Sequence, residues 1–219
     1  MITLAVVTDG RDHIYETIPS ALEHLKGPIT RKVIYDDSGD PINLARLRAA
    51  FPTFDVFQHP HGRQGFGGAI RFMWRLLAQG TNPYVMHLED DFLFNRNIDL
   101  IGMADLLHRR SDIAQVVLRR QPWNAEERAA GGVVEQHPDD YTDEECGPDR
   151  YLTHRRFFST NPCLYRRSLC FAGWPEDPHS EGKFGAQLRA DGFSFAFWEG
   201  RDDGPAVEHI GRERVGTGY

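Results

Sequence analysis

The segment Tyr84-Val-Met-His-Leu-Glu-Asp-Asp-Phe92 constrains this chain more than any other. An apolar run, Tyr84 to Leu88, ends in three acids, Glu89, Asp90 and Asp91, and apolar sequence resumes at Phe92. Unpaired charges are costly to desolvate, so a buried strand that finishes on three carboxylates needs something to neutralise them. The readings are a solvated strand end, a partner arginine, or a hard divalent cation. Mg²⁺ or Mn²⁺ takes oxygen ligands of this kind and leaves room for substrate phosphates.

At 219 residues the chain is expected to form one domain, and 40% hydrophobic residues against 26% charged ones allow a sizeable core. No apolar run approaches the ~20 residues of a membrane span. The first residues, MITLAVVTDG, read as a strand rather than a signal peptide. Three cysteines, Cys146, Cys163 and Cys170, lack C-x-x-C spacing, which fits neither a disulfide framework nor a zinc knuckle. A reduced, cytoplasmic setting is the expectation.

The formal charge of −7 argues against a nucleic-acid coat, but it is unevenly spread. Nine acids and one base, Arg128, fall between Asn124 and Asp149, whereas Arg150 to Pro175 holds five arginines and no acid. Two readings stand side by side: an acidic loop neutralised by a basic strand, or a lid beside a surface for an anionic ligand.

Thr3–Thr8 reads as a strand, Ile14–Leu25 as a helix with Pro19 as an alternative start, and Arg31–Tyr35 as a second strand closed by DDSGD. Leu44–Phe51 is helical and Phe54–Gln58 extended; Gly65-Phe-Gly-Gly68 opens a helix through Ala78, and the acid-tipped strand follows. A helix over Ile98–His108 and a strand over Ile113–Leu118 complete an alternation that predicts an α/β domain with a mainly parallel sheet. Pro122–Arg150 lacks a period and reads as a loop or lid, and Pro162 demotes Phe157–Tyr165 to an edge or interrupted strand. Lys183–Ala190 is helical, Phe193–Trp198 and Ala206–Ile210 are strands, and a mobile Gly-rich tail is expected from Gly211. The expected division is a nucleotide-binding half (1–121), an acidic lid (122–150), an acceptor and catalytic half (151–211) and the tail (212–219).

Ligands of such sheets bind beyond the carboxyl ends of the strands. That rule gathers Thr8-Asp9-Gly10, Asp36-Asp37 and Glu89-Asp90-Asp91 on one edge. The glycines Gly65 and Gly68 place backbone N–H groups where phosphate binds, or serve close helix approach. DDSGD is equally an Asx-rich turn. Trp174 reads either as a sugar-stacking face or as core.

The order of these pieces resembles the family 2 glycosyltransferases: DDSGD after the second strand, a glycine-rich helix start with Ala69 and Arg71, a strand ending in EDD, SEGKFGAQLRADGFSFAF, and Val207-Glu-His-Ile-Gly211. The resemblance covers about residues 1–211 and lies in order and spacing. It implies a single Rossmann-like nucleotide-sugar-binding domain of the glycosyltransferase type A fold, with a UDP- or GDP-type sugar as donor and Mn²⁺ or Mg²⁺ as cofactor. It assigns Asp91 and His209, with Glu89, to the metal or ribose. Thr8, Asp9, Gly10, Arg11, Asp36, Asp37, Gly65, Gly68, Arg71, Glu89 and Asp90 fall to the nucleotide. Glu181 takes the position of the base that deprotonates an acceptor hydroxyl in an inverting transfer. The chain departs from the family in having Ser180-Glu181 for the usual Asp, DDSGD for DDGS, Glu89 for the first Asp of the triplet, and no Asn-Glu pair after Thr8.

The alternatives are a metal-dependent phosphoesterase or nuclease, and a nucleotide-sugar-binding module without catalysis. The acceptor is open: a sugar, a protein, or, if the arginines of 150–167 face it, a modified nucleic acid.

Overall fold

The structure, a computed structural model, describes residues 1–211. The expected tail, 212–219, lies outside the described residues. The first half alternates as its periodicity requires: β1 (Ile2–Thr8), α1 (Ile14–His24), β2 (Leu25–Lys26), β3 (Ile29–Asp36), α2 (Pro41–Ala50), β4 (Asp55–Gln58), α3 (Gly65–Ala78) and β5 (Tyr84–Glu89). Next come β6 (Phe92–Phe94), β7 (Ile98–Asp99), α4 (Leu100–Arg109) and β8 (Ile113–Val117). The second half contributes α5 (Ala125–Ala130), α6 (Val133–Gln136), β9 (Tyr141–Cys146), β10 (Asp149–His154), β11 (Cys163–Arg166), α7 (Ser180–Ala190), β12 (Ser194–Trp198) and β13 (Val207–His209).

Nine strands form one mixed sheet in the order β4-β3-β1-β5-β11-β8-β12-β10-β9. β4, β3, β1 and β5 are mutually parallel, as are β8 and β12; β11 and β10 run against their neighbours. β1 is buried along its whole length, as a strand covered on both faces must be. One core packs α1, α2 and α4 on one face through Ile14, Ile18, Leu47, Met103 and Leu106. The other packs α3 and α7 through Ile70, Met73, Trp74, Phe184 and Leu188. The result is a three-layer α/β/α sandwich.

α1 starts at Ile14, as expected, and not at the alternative start Pro19, because Ile14, Thr17, Ile18 and Ala21 are all buried and hold the earlier turn. Three other expectations are corrected. Pro162 does not push its strand to an edge: β11 sits between β5 and β8. The proline precedes the strand, where its missing N–H costs nothing, and its carbonyl accepts from the Leu118 N–H at 2.8 Å. The segment 122–150 is not a structureless lid but carries α5, α6 and β9, the last paired with β10 as a hairpin. Its three consecutive acids, Asp143, Glu144 and Glu145, suit an outer strand whose edge must not pair further. α7 begins at Ser180, three residues ahead of the expected Lys183, with His179 as its cap residue and no side-chain capping bond.

Candidate active site

The parallel registers bring three strand ends level. Thr8 pairs with Asp36 across β1 and β3, and Val7 pairs with Glu89 across β1 and β5. The acids after β5 are anchored from behind by α1: the Thr17 hydroxyl donates to the Asp90 carbonyl at 2.8 Å and accepts from the Phe92 N–H at 3.1 Å. β13 then pairs with β6, placing His209 opposite Phe92. The Gln121 amide clamps the His209 backbone from both sides, accepting its N–H at 2.8 Å and donating to its carbonyl at 2.9 Å. The imidazole lies between Phe92, at 4.7 Å between ring centres, and Trp123, at 4.0 Å.

His209 Nε2 therefore faces Asp91 Oδ2 at 3.1 Å. Among the described residues, Asp91 Oδ1 is buried with no hydrogen-bond partner. Over both closes Gly211, where any side chain would collide with the Asp91 carboxylate and come within 3.0 Å of His209 Nε2. Among the described residues, no cluster of three or more His, Cys, Asp or Glu is arranged to hold an ion. The donor set does fit a hard or borderline divalent cation held by one carboxylate and one imidazole, with other positions left for ligand oxygens. Burial works to raise the Asp91 carboxyl, but His209 and Arg11 outweigh it and hold it below its ordinary range.

Arg11 is the cation on the triplet. Its guanidinium donates to Asp91 Oδ2 and to Asp90 Oδ1, both at 2.5 Å, and its Nε donates to Asp9 Oδ1 at 2.8 Å. Asp90 also accepts from the Thr8 hydroxyl at 2.5 Å. Burial raises the Asp90 carboxyl, with Arg11 and Thr8 opposing.

Two cavities meet at Glu89. One, of about 180 Å³, is lined by Val7, Thr8, Asp9, Arg11, Asp37, Arg63, Gly65, Phe66, Ala69 and Glu89. The other, of about 370 Å³, is lined by Glu89, Phe92, Trp123, Phe157, Phe158, Thr160, Glu181 and His209, among others. Burial, and next the Asp91 charge, push the Glu89 carboxyl up to about 8; burial also raises Glu181. Thr160 stands between them, its hydroxyl 2.7 Å from Glu89 Oε1 and 3.0 Å from Glu181 Oε1. Its N–H donates to Glu181 at 2.6 Å. A hydroxyl has one hydrogen to give, so the array is satisfied when a neutral Glu89 donates to Thr160 and Thr160 donates to an ionised Glu181.

Other sequence candidates separate. Asp37 stays at the first cavity and accepts from Tyr35 Oη and the Gln64 N–H. Asp36 turns inward, fully buried, to Ser38 and Gln58, which is the Asx-turn use of such a residue. Gly10 and Gly65 take positive φ, and Gly65 lines the first cavity. Arg71 and Gly68 lie outside both cavities; Arg71 donates to the Pro175 carbonyl at 3.0 Å. Trp174 is core, 4% exposed and packed on Trp74 and Phe184.

The five arginines of the basic segment all have partners within the chain, although Arg150 and Arg155 remain exposed. Arg150 pairs with Asp203 and Arg156 with Asp140, while Arg155, Arg166 and Arg167 donate to backbone carbonyls. Sequence reasoning missed Thr160, Gln121 and Trp123; only Trp123, an aromatic beside the acidic segment, carried any local signal.

The fold is that of the type A glycosyltransferases. The chain superposes on S. aureus TarS 1–349 with a TM-score of 0.64 at 15% identity, covering 96% of this chain and 60% of that one. The same protein in complex with UDP-GlcNAc gives 0.63 at 15% identity, covering 98% and 60%. The mannosyltransferase PcManGT from Pyrobaculum calidifontis, in complex with GDP-Man and Mn²⁺, gives 0.63 at 14% identity, covering 97% and 57%. The chain spans about three-fifths of the length of these proteins. No protein-family model and no curated protein sequence matches it.

Proposed function

We propose that this chain is a metal-dependent glycosyltransferase that moves a sugar from a UDP- or GDP-type donor to an acceptor hydroxyl, inverting the anomeric centre, with residues 1–211 acting as one catalytic unit. The observation that carries the reading is the pairing of Asp91 with His209, whose ring lines the larger cavity, with one oxygen of Asp91 left without a partner among the described residues.

In this reading the nucleotide occupies the smaller cavity, its base against Asp37 and its ribose towards Glu89 and Thr8. Asp91 and His209 hold Mn²⁺ or Mg²⁺, which when bound supplies Lewis-acid neutralisation of the diphosphate leaving group. The acceptor enters the larger cavity past Trp123 and Phe157, whose apolar faces exclude water and suit the face of a sugar ring. Glu181, its carboxyl raised by burial against its two bonds from Thr160, takes the hydroxyl proton as the oxygen attacks. The fold neighbours crystallised with GDP-Man and UDP-GlcNAc support this donor class. Among the described residues no helix is long and apolar enough to cross a membrane.

The test is a panel of UDP- and GDP-sugars incubated with Mn²⁺, followed by release of the nucleoside diphosphate, for the wild type and Asp91→Ala. Release from at least one donor, lost in D91A, is expected. A panel on which both proteins are equally inert, or equally active, sinks the reading.

A further inference from the structure

The guanidinium of Arg11 and the imidazole of His209 meet at a single oxygen. Asp91 Oδ2 lies 2.5 Å from Arg11 Nη1 and 3.1 Å from His209 Nε2. The second arm of the same fork holds Asp90, and its Nε holds Asp9. We propose that Arg11 is a tethered counter-cation that competes with the divalent ion for Asp91 and is drawn off it by the diphosphate of the nucleotide; the inference rests on the metal reading above.

A guanidinium and a divalent cation repel at short range, and a carboxylate oxygen engaged by one is a poorer ligand for the other. Arg11 has the fork geometry to bridge two carboxylates, a stronger hold than a single ammonium provides. It is nevertheless free to leave. Its side chain is 32% exposed, at the wall of the smaller cavity, on a loop whose Gly10 adopts φ of +95°. Asp90 is not abandoned when it goes, because the Thr8 hydroxyl remains bonded to it.

Metal alone must then bind the minority of molecules in which Arg11 is undocked, and its apparent affinity falls by that fraction. A diphosphate entering the cavity gives the guanidinium an alternative bidentate partner and frees Asp91. Nucleotide and metal each strengthen the other by the same factor, as linkage requires. Arg11 thereby acts as a positioning residue that keeps the metal site shut until a donor is present.

The experiment measures Mn²⁺ binding by EPR and calorimetry, without nucleotide and with UDP or GDP, for the wild type, Arg11→Gln, Arg11→Lys and Asp91→Asn. R11Q is expected to bind Mn²⁺ alone at least about tenfold tighter than the wild type. It should also bind nucleoside diphosphate alone more weakly, and the mutual enhancement should shrink towards one. R11K, with one point charge in place of the fork, is expected between the two, and it decides the matter if R11Q does not fold. A wild type that binds Mn²⁺ and Arg11 variants that bind it no tighter overturn this proposal and leave the metal reading intact. Failure of every protein, the wild type included, to bind Mn²⁺ even with nucleotide overturns both. D91N retaining wild-type Mn²⁺ affinity also overturns both.

Discussion

At the scale of single residues the site depends on a few hydrogen bonds to buried acids. Glu181 receives two bonds from Thr160 and faces the larger cavity. Glu181→Gln keeps its shape but cannot take a proton. Transfer is expected to fall by about 10²–10⁴ in kcat with nucleoside diphosphate affinity unchanged; turnover at the wild-type rate would remove Glu181 from the mechanism. Thr160→Val leaves Glu89 and Glu181 without the hydroxyl between them, at a cost of about 1–3 kcal/mol in urea denaturation, whereas Thr160→Ser restores it. Gly211→Ala is a sharper probe of the metal site proposed at Asp91 and His209. The added methyl collides with the Asp91 carboxylate, so Mn²⁺ affinity measured by calorimetry should fall at least about tenfold while the fold persists. None of these three roles was legible with equal ease. Glu181 and His209 were visible through motif order, but Thr160 lies in an unremarked Ser-Thr-Asn stretch and meets Glu181 only because α7 packs back on that loop.

The elements show where local pattern and long-range packing diverge. β1, β3, β5 and α3 follow from alternation, apolar runs and a glycine-opened helix, and their register alone delivers Thr8, Asp37 and Glu89 to one crevice. β11 and β9 did not follow. β11 is a four-residue strand in the middle of the sheet, behind a proline that sequence reasoning treats as an edge signal. β9 is an acidic strand in which Asp143 pairs with Arg201 and Glu144 is held in a network. Glu144 accepts from Tyr151 Oη at 3.0 Å and Thr153 Oγ1 at 2.7 Å and pairs with Arg110. Glu144→Ala should therefore destabilise the hairpin, lowering the unfolding free energy by about 1–3 kcal/mol, while a substitution of the outward Glu145 should change it by less than about 0.5 kcal/mol. Equal effects of the two would show that the network contributes nothing.

For the whole molecule, acid stability reads out the core. His87, 2% exposed with neither ring nitrogen bonded among the described residues, is pushed down to about 4 by burial, and His154 to about 3 by burial and then Arg156. Below the ordinary histidine range the unfolded chain binds protons that the folded chain refuses. Stability is therefore full above pH ~6.5 and is lost as pH falls towards the folded values. His87→Leu removes a buried polar ring without partners. It should leave the melting temperature at pH 7 unchanged or higher and relieve about 3 kcal/mol of the loss between pH 6.5 and 4. Parallel acid-unfolding curves for the two proteins would refute the assignment. The chain's own sequence determined the strand–helix alternation, the parallel half-sheet and the collection of acids at its carboxyl edge, because periodicity and the placement of charge at strand ends are local properties. Only the tertiary structure decided which acids face a cavity and which turn inward, which carbonyls and acids the arginines of 150–167 bond to, and that Arg11 rests on Asp90 and Asp91. Those outcomes depend on contacts between residues some twenty to more than a hundred positions apart, whose geometry exists only once α1, β6 and β13 have closed around the end of β5.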